Sequence, residues 1–478
     1  MASVSASVGP TAPVALRDRL EGAWRLLSSL PLLVQDAVLY AGSCGFALLN
    51  AGLAESPDYR DWGQMAAVAY GAATIVCLVG ARRTGRRRPP ATAAVTRLRR
   101  GVLFVLVLGV VVVPLGAELA WRAEATPGAH AQPEVAVIER AGDRAAAARS
   151  PYLTSPSSVG DSPQSDHHDV DSTAFFPYLP GMVLFGLPSA YVASAALGDA
   201  RLALVLFTLG VAGGALLLGP GALRWRSRVV QVLVVLPFGA LPMVTGGDDL
   251  PVLALCLLGL VLAARRRPVA AGLVLGVAGT LKFTAWPILL LLVFAVRDGE
   301  GRRAIGRYTL AAAVVALPVI LLGVLTSPEG FLVNVVRFPL GLASVRSPAA
   351  SPLLGQVLTT IFPSHRRLIT GLLAAVGALL VLALLYRRPP RSVAGVAGVT
   401  AFALLLATLL APATRFGYLI YPANLAAWAV ALSVGAAQSG SFCSKSVRAS
   451  VVSPAERSPF SAGVSEGPAG VSTTATSQ

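Results

Sequence analysis

A few charged side chains stand at the ends of long apolar runs in this sequence, and their types suit acid–base and phosphate chemistry. Glu134 follows Pro133 at the start of the polar segment PEVAVIERAGDRAAAARSPY, residues 133–152. This segment predicts a short amphipathic helix, in which one stripe contains Val135, Ile138, Gly142, Ala145 and Arg149. A carboxylate held at that point could act as a general base on a hydroxyl group. Lys282, in GTLKFTAWP, and Arg415, in LAPATRFGYLIYP, carry positive charges that could pair with a phosphate.

Each of these residues also has a simpler interpretation. Proline and glutamate favour the first turn of a helix, and a long basic side chain near the end of a span can extend to the membrane interface. Asp248 and Asp249 form a short connection between apolar runs, where turn chemistry alone favours aspartate. Tyr418 and Tyr421, close to Arg415, could be interfacial aromatic residues. The residues taken singly leave both interpretations open.

The composition predicts a polytopic membrane protein. Hydrophobic residues make up 55% of the 478 residues, charged residues 13%, and the mean hydropathy is +0.69. A soluble chain carries roughly 25% charged residues. The formal charge of +16 comes mostly from arginines clustered in short segments between apolar runs, which is the pattern that orients membrane proteins. It therefore gives no reason to expect a nucleic-acid partner.

Apolar runs of about the length that a bilayer requires define the predicted topology. The stretch 268–296 has arginines at both ends and Lys282 and Pro287 in the middle, so we expect two short helices that meet near Lys282. This hairpin gives about twelve crossings with both termini cytoplasmic. The other runs lie near 36–54, 63–81, 101–121, 201–219, 229–246, 249–264, 307–325, 367–386, 393–411 and 416–436.

Two long polar segments fall on the outer side in this topology. The first, 122–173, follows the third span and holds eight acidic residues against four arginines; the second is 326–366. The run 175–198 is apolar, but prolines interrupt it. We therefore expect a juxtamembrane or re-entrant element there rather than a span. The chain then divides into a cytoplasmic segment 1–35, two extra spans with an arginine-rich loop at 36–100, a membrane domain 101–436 and a disordered cytoplasmic tail 437–478.

The same topology collects the candidate residues on one side of the membrane. Ionisable groups near membrane depth are costly and usually face an aqueous cavity. A polar site at the outer membrane boundary is where an enzyme with a lipid-linked substrate would need it. The residues that converge there are Glu134, Asp248, Asp249, Lys282, Arg337 and Arg415.

Other chemistry finds little support. The cluster Asp166–Asp171 contains two consecutive histidines, but its spacing fits no defined coordination pattern, so we expect a solvated loop. The four cysteines show no metal-like spacing and imply no disulfide framework. The sequence has no P-loop, glycine-rich nucleotide fingerprint or nucleophile elbow.

Several segments together resemble the GT-C glycosyltransferases. The first outer loop of glycosyltransferase family 87 is similar to two segments of this chain: EVAVIERAG, which starts at Glu134, and SPY at 150–152. Members of that family resemble polyprenyl-phosphate-mannose-dependent mannosyltransferases of actinobacteria. Four further segments look like the family's membrane landmarks: FFPYLPGMVLFGLP, GGDDLPVLAL, LKFTAWP and APATRFGYLIYP. The first of them contains Tyr178. The resemblance covers roughly residues 100–436. The family has aspartate where this chain has Glu134, and tyrosine where it has Ile138.

The resemblance implies an all-α GT-C-like bundle and an integral membrane glycosyltransferase of the cell membrane, active on the extracytoplasmic face. It would transfer a hexose, by expectation mannose, from a polyprenyl-phosphate sugar to a lipid or glycan acceptor, with no cofactor and no metal. Glu134 would be the general base. Substrate binding would fall to Lys282, Arg415, Arg337, Asp248, Asp249 and Tyr178. A polytopic transporter and a non-catalytic scaffold for envelope assembly remain as alternatives.

Overall fold

The structure is a computed structural model that describes residues 30–85, 92–124, 130–154, 173–219, 228–229, 231–340, 342–343 and 349–433. These residues are mostly helical, and one isolated parallel β-bridge joins Ala350 to Thr414. Eight of the described helices are long and apolar enough to cross a membrane, and two shorter apolar helices accompany them. The described part of the chain therefore fits an all-α, multi-pass membrane protein. The count of twelve crossings stays a prediction.

The helices are numbered in chain order. They are α1 (Leu32–Leu53), α2 (Pro57–Gly85), α3 (Thr92–Val107), α4 (Val113–Glu124), α5 (Pro133–Ala146), α6 (Leu187–Tyr191), α7 (Ala195–Gly198), α8 (Ala200–Leu218), α9 (Pro237–Thr245), α10 (Asp249–Ala264), α11 (Pro268–Leu281), α12 (Trp286–Glu300), α13 (Arg302–Thr326), α14 (Pro328–Phe331), α15 (Leu354–Ile361), α16 (Arg366–Arg387) and α17 (Val393–Leu410). A last span covers Phe416–Ser433. One π-helical stretch, Leu108–Val112, joins α3 to α4, and another, Leu332–Arg337, follows α14.

The two N-terminal helices form a hairpin that is tied into the rest of the bundle. Gly63 in α2 lets the backbones approach, because a Cβ there would lie 2.5 Å from the backbone nitrogen of Ala51. Near the start of α1, the carboxylate of Asp36, only 2% exposed, pairs with Arg99 and Arg228. A buried charge needs such partners. This cluster joins α1 to α3 and to the segment before α9.

The predicted hairpin at 268–296 is confirmed. Helix α11 ends at Leu281, and Lys282 takes an extended conformation with φ −149° and ψ 150° before the short turn that starts α12. The other ends of the two helices also meet, since the guanidinium of Arg266 donates a hydrogen bond to the backbone carbonyl of Gly299. Both arginine-bearing ends therefore lie on the same side of the bundle, and Lys282 lies at the opposite tip.

Two apolar runs are broken in the structure. The run 175–198 is a poor span, as expected, and consists of a 3-10 turn, Pro180–Phe185, followed by the short helices α6 and α7. The run 229–246 has the length of a span, but it divides at Leu236 into a π-helical stretch, Gln231–Val235, and α9. Pro237, which lacks a backbone N–H, begins the second piece. The predicted tail 437–478 and the cluster Asp166–Asp171 lie outside the described residues.

Candidate active site

Helix α5 carries Glu134 in its first turn and packs through its apolar face. Val135, Ile138 and Gly142 of the predicted stripe are buried, and Ala141 is buried beside them. Close packing depends on two glycines: a Cβ on Gly142 would lie 2.1 Å from the carbonyl oxygen of Gly186, and a Cβ on Gly186 would lie 1.9 Å from that of Ile138. Contacts this short exclude any side chain at either position. The stripe ends with the helix, since Arg149 lies beyond α5 and is exposed.

Four charged residues hold α5 against the membrane helices. Arg122, at the end of α4, pairs with both carboxylate oxygens of Glu139 at 2.7 and 2.8 Å and also with Asp199. Asp199 caps α8 and binds the fully buried guanidinium of Arg201 at 2.9 Å. Although burial opposes its ionisation, hydrogen bonds and charge from Arg201 and Arg122 lower the pKa of Asp199. The network fixes α5 relative to α4 and α8.

Glu134 forms an ion pair with Arg415, across 281 positions of sequence. The bond uses Oε1 of Glu134, and its Oε2 is buried and has no hydrogen-bond partner among the described residues. Backbone hydrogen bonds from Thr414 to Ala349 and from Ser351 to Thr414, both 2.9 Å long, position Arg415. Part of the second polar segment therefore holds the arginine in place, and one carboxylate oxygen of the pair stays without a hydrogen-bond partner.

Lys282 lies at the centre of a second cluster. Its Nζ is 2.9 Å from Oδ2 of Asp248 and also pairs with Asp249. Oδ1 of Asp249 accepts a second hydrogen bond, 2.7 Å long, from the hydroxyl of Tyr421, which in turn accepts one of the same length from Thr284. Tyr421 is therefore engaged with a carboxylate rather than serving only as an interfacial aromatic residue.

Tyr178 brings the segment after α5 onto this cluster. Its ring lies beneath Lys282, with Nζ 5.0 Å from the ring centroid, a distance at which a cation is attracted by the ring. The neighbouring Leu179 donates a 3.0 Å backbone hydrogen bond to Leu281. Tyr152, from the SPY motif, donates from its hydroxyl to the carbonyl of Tyr178 at 3.1 Å. The run 175–198 thus packs directly against the tip of the α11–α12 hairpin, and the first polar segment contacts that run through Tyr152.

The charges of the two clusters interact. Burial raises the pKa of Asp248 to about 6, Lys282 opposes the change, and Asp249 and Glu134 add to it. Burial disfavours the charged form of Lys282, but the two aspartates outweigh it and raise its pKa. The same balance holds for Arg415, whose pKa is raised because Glu134 outweighs burial. The Glu134–Arg415 pair is neutral overall, whereas one lysine facing two carboxylates leaves the other cluster with excess negative charge.

The structure brings together most, but not all, of the residues singled out in the sequence. Glu134 and Arg415 form one pair, and Lys282, Asp248, Asp249 and Tyr178 form the adjacent cluster. Arg337, at the end of the π-helical stretch Leu332–Arg337, is exposed, and its side chain forms no hydrogen bond or ion pair in the part of the chain that the structure describes. The Arg122–Arg201 network was not predicted from the sequence, because Arg122, Glu139 and Asp199 come from distant positions in the chain.

Fold and site together define a multi-pass, helical membrane protein with a carboxylate, an arginine and a lysine–aspartate cluster gathered at one end of its helices. The model of glycosyltransferase family 87 matches residues 175–412, and the chain belongs to this family. It is therefore a glycosyltransferase. The matched range includes the Lys282 cluster and ends shortly before Arg415, while Glu134 lies upstream of it. No curated protein and no solved structure matches the chain.

Proposed function

We propose that this glycosyltransferase transfers a hexose from a polyprenyl-phosphate sugar to a lipid or glycan acceptor at the extracytoplasmic face of the cell membrane. The proposed hexose is mannose. The observation that carries the proposal is the buried oxygen of Glu134 that has no hydrogen-bond partner among the described residues, held beside Arg415 and next to the Lys282 cluster. A base and a cation side by side are what glycosyl transfer from a phosphate leaving group needs.

Glu134 acts as the general base. The acceptor hydroxyl attacks the anomeric carbon of the donor, its proton passes to Oε2 of Glu134, and the bond from the anomeric carbon to the phosphate oxygen breaks. The electron pair of that bond leaves with the polyprenyl phosphate. A positioned base of this kind contributes about 10²–10⁴-fold to a rate. Oε1, paired with Arg415, keeps the carboxylate oriented while Oε2 accepts the proton.

Arg415 is the better phosphate ligand of the two cations. It is 35% exposed and is matched by one carboxylate, whereas Lys282 is 13% exposed and matched by two. A phosphate approaching Lys282 would meet the excess negative charge of Asp248 and Asp249, so the lysine acts mainly by orienting these carboxylates. While one of its N–H groups stays on Glu134, Arg415 donates from its other N–H groups to the phosphate of the bound donor, and offsets the charge that develops on the leaving group.

Asp248 and Asp249 suit the sugar part of the donor. Carboxylates accept hydrogen bonds from hydroxyl groups, and each side chain is held by Lys282. The ring of Tyr178 packs against the ammonium group of Lys282 and so helps to hold the lysine in place. Arg337, which is exposed, would meet the phosphate or the lipid only at the edge of the site. Membrane lipid surrounds the helices and presents the polyprenyl chain of the donor.

The donor is tested directly in membranes that contain the full chain. Labelled polyprenyl-phospho-mannose, polyprenyl-phospho-glucose and GDP-mannose are supplied separately, with a crude lipid and glycan extract as the acceptor. We expect label to be transferred from the polyprenyl-phosphate mannose donor, and none from GDP-mannose in membranes depleted of polyprenyl phosphate. Transfer from the nucleotide sugar under those conditions would overturn the donor assignment. No transfer from any of the three would favour the transporter or the scaffold.

The side of the membrane is tested by labelling single cysteines in intact cells, after replacement of the four native cysteines. A cysteine at Glu329 should react with an impermeant reagent added from outside, and one at Arg266 should react only after the cells are opened. The reverse pattern would place the site on the cytoplasmic face.

A further inference from the structure

A second group of ionisable side chains lies outside the site described above. Asp61 from α2, Glu118 from α4 and His130 each offer one ligand atom, and the three atoms lie within 4.8 Å of one another. Nδ1 of His130 is 3.1 Å from Oε2 of Glu118 and 3.9 Å from Oδ2 of Asp61. The three residues come from separate parts of the chain, so the fold itself brings them together.

The buried member of this group is only half satisfied. Glu118 is 0% exposed, and its Oε1 has no hydrogen-bond partner among the described residues. A buried carboxylate with an unpaired oxygen is costly, and the nearest cationic partner is a histidine, which is charged only when protonated. A divalent cation shared by the three side chains would neutralise both carboxylates, and if Glu118 bound it through both oxygens the ion would also satisfy Oε1.

The geometry points to a site for a first-row divalent cation, Zn²⁺ or Mn²⁺, formed by Asp61, Glu118 and His130, and we propose it as a structural metal site of this protein. Around an ion with ligands at about 2.1 Å, tetrahedral ligand atoms lie about 3.4 Å apart. The observed separations of 3.1 and 3.9 Å lie on either side of this value. One imidazole nitrogen with two carboxylates is a donor set that suits these ions better than Ca²⁺, which prefers oxygen ligands alone.

The surroundings of the group are suited to holding an ion. Arg201 donates a 2.7 Å hydrogen bond to the backbone carbonyl of His130 and so fixes the histidine from behind. The side chains of His130 and Asp61 are 22% and 27% exposed, which leaves a route for the ion. Since His130 precedes Glu134 by four residues, the ion would tie α2 and α4 to the start of α5. This role does not depend on which sugar is transferred.

The test is metal binding by the full-length protein, purified and stripped with EDTA. After Zn²⁺ or Mn²⁺ is added back and the excess is dialysed away, we expect the wild type to retain about one equivalent, and we expect added Zn²⁺ to raise its unfolding temperature. Asp61→Asn, at a partly exposed position, should bind at least tenfold more weakly and lose the thermal shift, and so should Glu118→Gln if it folds. Glu55→Gln, an exposed acidic position at the same end of the hairpin, should behave as the wild type.

A second control separates this site from the consecutive histidines of the first polar segment. The double variant His167→Ala, His168→Ala should keep both the ion and the thermal shift. Loss of the ion in this double variant but not in Asp61→Asn would overturn the proposal. The proposal would also be overturned if the wild type bound neither Zn²⁺ nor Mn²⁺ above the level of Asp61→Asn. In that case Glu118 and His130 share a proton instead.

Discussion

At the scale of single residues, the two cations of the site differ in what surrounds them. Lys282 is held by two carboxylates, of which Asp248 is buried and Asp249 half-buried, and by an aromatic ring, and Arg415 by the single half-buried carboxylate of Glu134. The sequence identified both residues, because each is a charge at the end of an apolar run. It could not distinguish their roles, since the partners of each come from distant segments.

Neutralising each cation should therefore have a different effect. Lys282→Gln leaves Asp248 and Asp249 without their counter-ion, and we expect it to lower the free energy of unfolding by on the order of 3 kcal/mol. Arg415→Gln should cost little stability but raise the KM for the donor at least tenfold. Thermal unfolding in one detergent and donor titrations measure the two effects.

Arg337→Gln is the matched control for stability, because this arginine is exposed and its side chain has no partner in the described structure. Its unfolding temperature should equal that of the wild type. Equal unfolding temperatures for Lys282→Gln and Arg337→Gln would show that the lysine cluster contributes nothing to the fold.

At the scale of elements, the position of Glu134 depends on how closely α5 approaches the segment that leads into α6. The amphipathic pattern predicted α5 and its buried face, and prolines predicted that 175–198 would not form a span. The backbone contact between Gly142 and Gly186 was not predictable, because a glycine in a helix shows nothing about which backbone will lie against it. The same holds for the break at Leu236, where an apolar run of span length divides.

Gly142→Ala tests this contact. The new Cβ would lie 2.1 Å from the backbone of Gly186, so α5 must shift and carry Glu134 with it. We expect a fall in transfer rate of tenfold or more together with a lower unfolding temperature. Gly213→Ala in α8 is the control, since a Cβ there meets nothing within 4 Å, and alanine in a helix is more favourable by roughly 0.5–1 kcal/mol. Unchanged activity in Gly142→Ala would mean that α5 is not positioned by this contact.

At the scale of the whole molecule, the N-terminal hairpin lies outside the range matched by family 87 but is joined to it by buried charge. Composition and hydropathy were enough to predict a helical membrane protein, and arginines at both ends of 268–296 were enough to predict the hairpin there. The attachment of α1 was not predictable, because Asp36 looks like any single charge at the end of a span. Only the folded chain places Arg99 and Arg228 beside it.

Asp36→Asn should loosen this attachment. It leaves two arginines, 7% and 16% exposed, close together without a counter-charge, and removing one member of a buried ion pair costs about 3–5 kcal/mol. We expect a marked drop in unfolding temperature, measured against Glu55→Gln as the exposed control on the same hairpin. An Asp36→Asn protein as stable as that control would contradict the structural role of the cluster.

The central claim is that Glu134 is the base of a sugar transfer, and one comparison tests it most directly. Membranes containing wild type, Glu134→Gln, Glu134→Asp or Glu329→Gln receive labelled polyprenyl-phospho-mannose and the acceptor extract. We predict that Glu134→Gln lowers transfer at least a hundredfold. Glu134→Asp should keep measurable transfer, because a carboxylate remains. Glu329→Gln, at an exposed position, should match the wild type. Equal transfer by Glu134→Gln and the wild type would contradict the account.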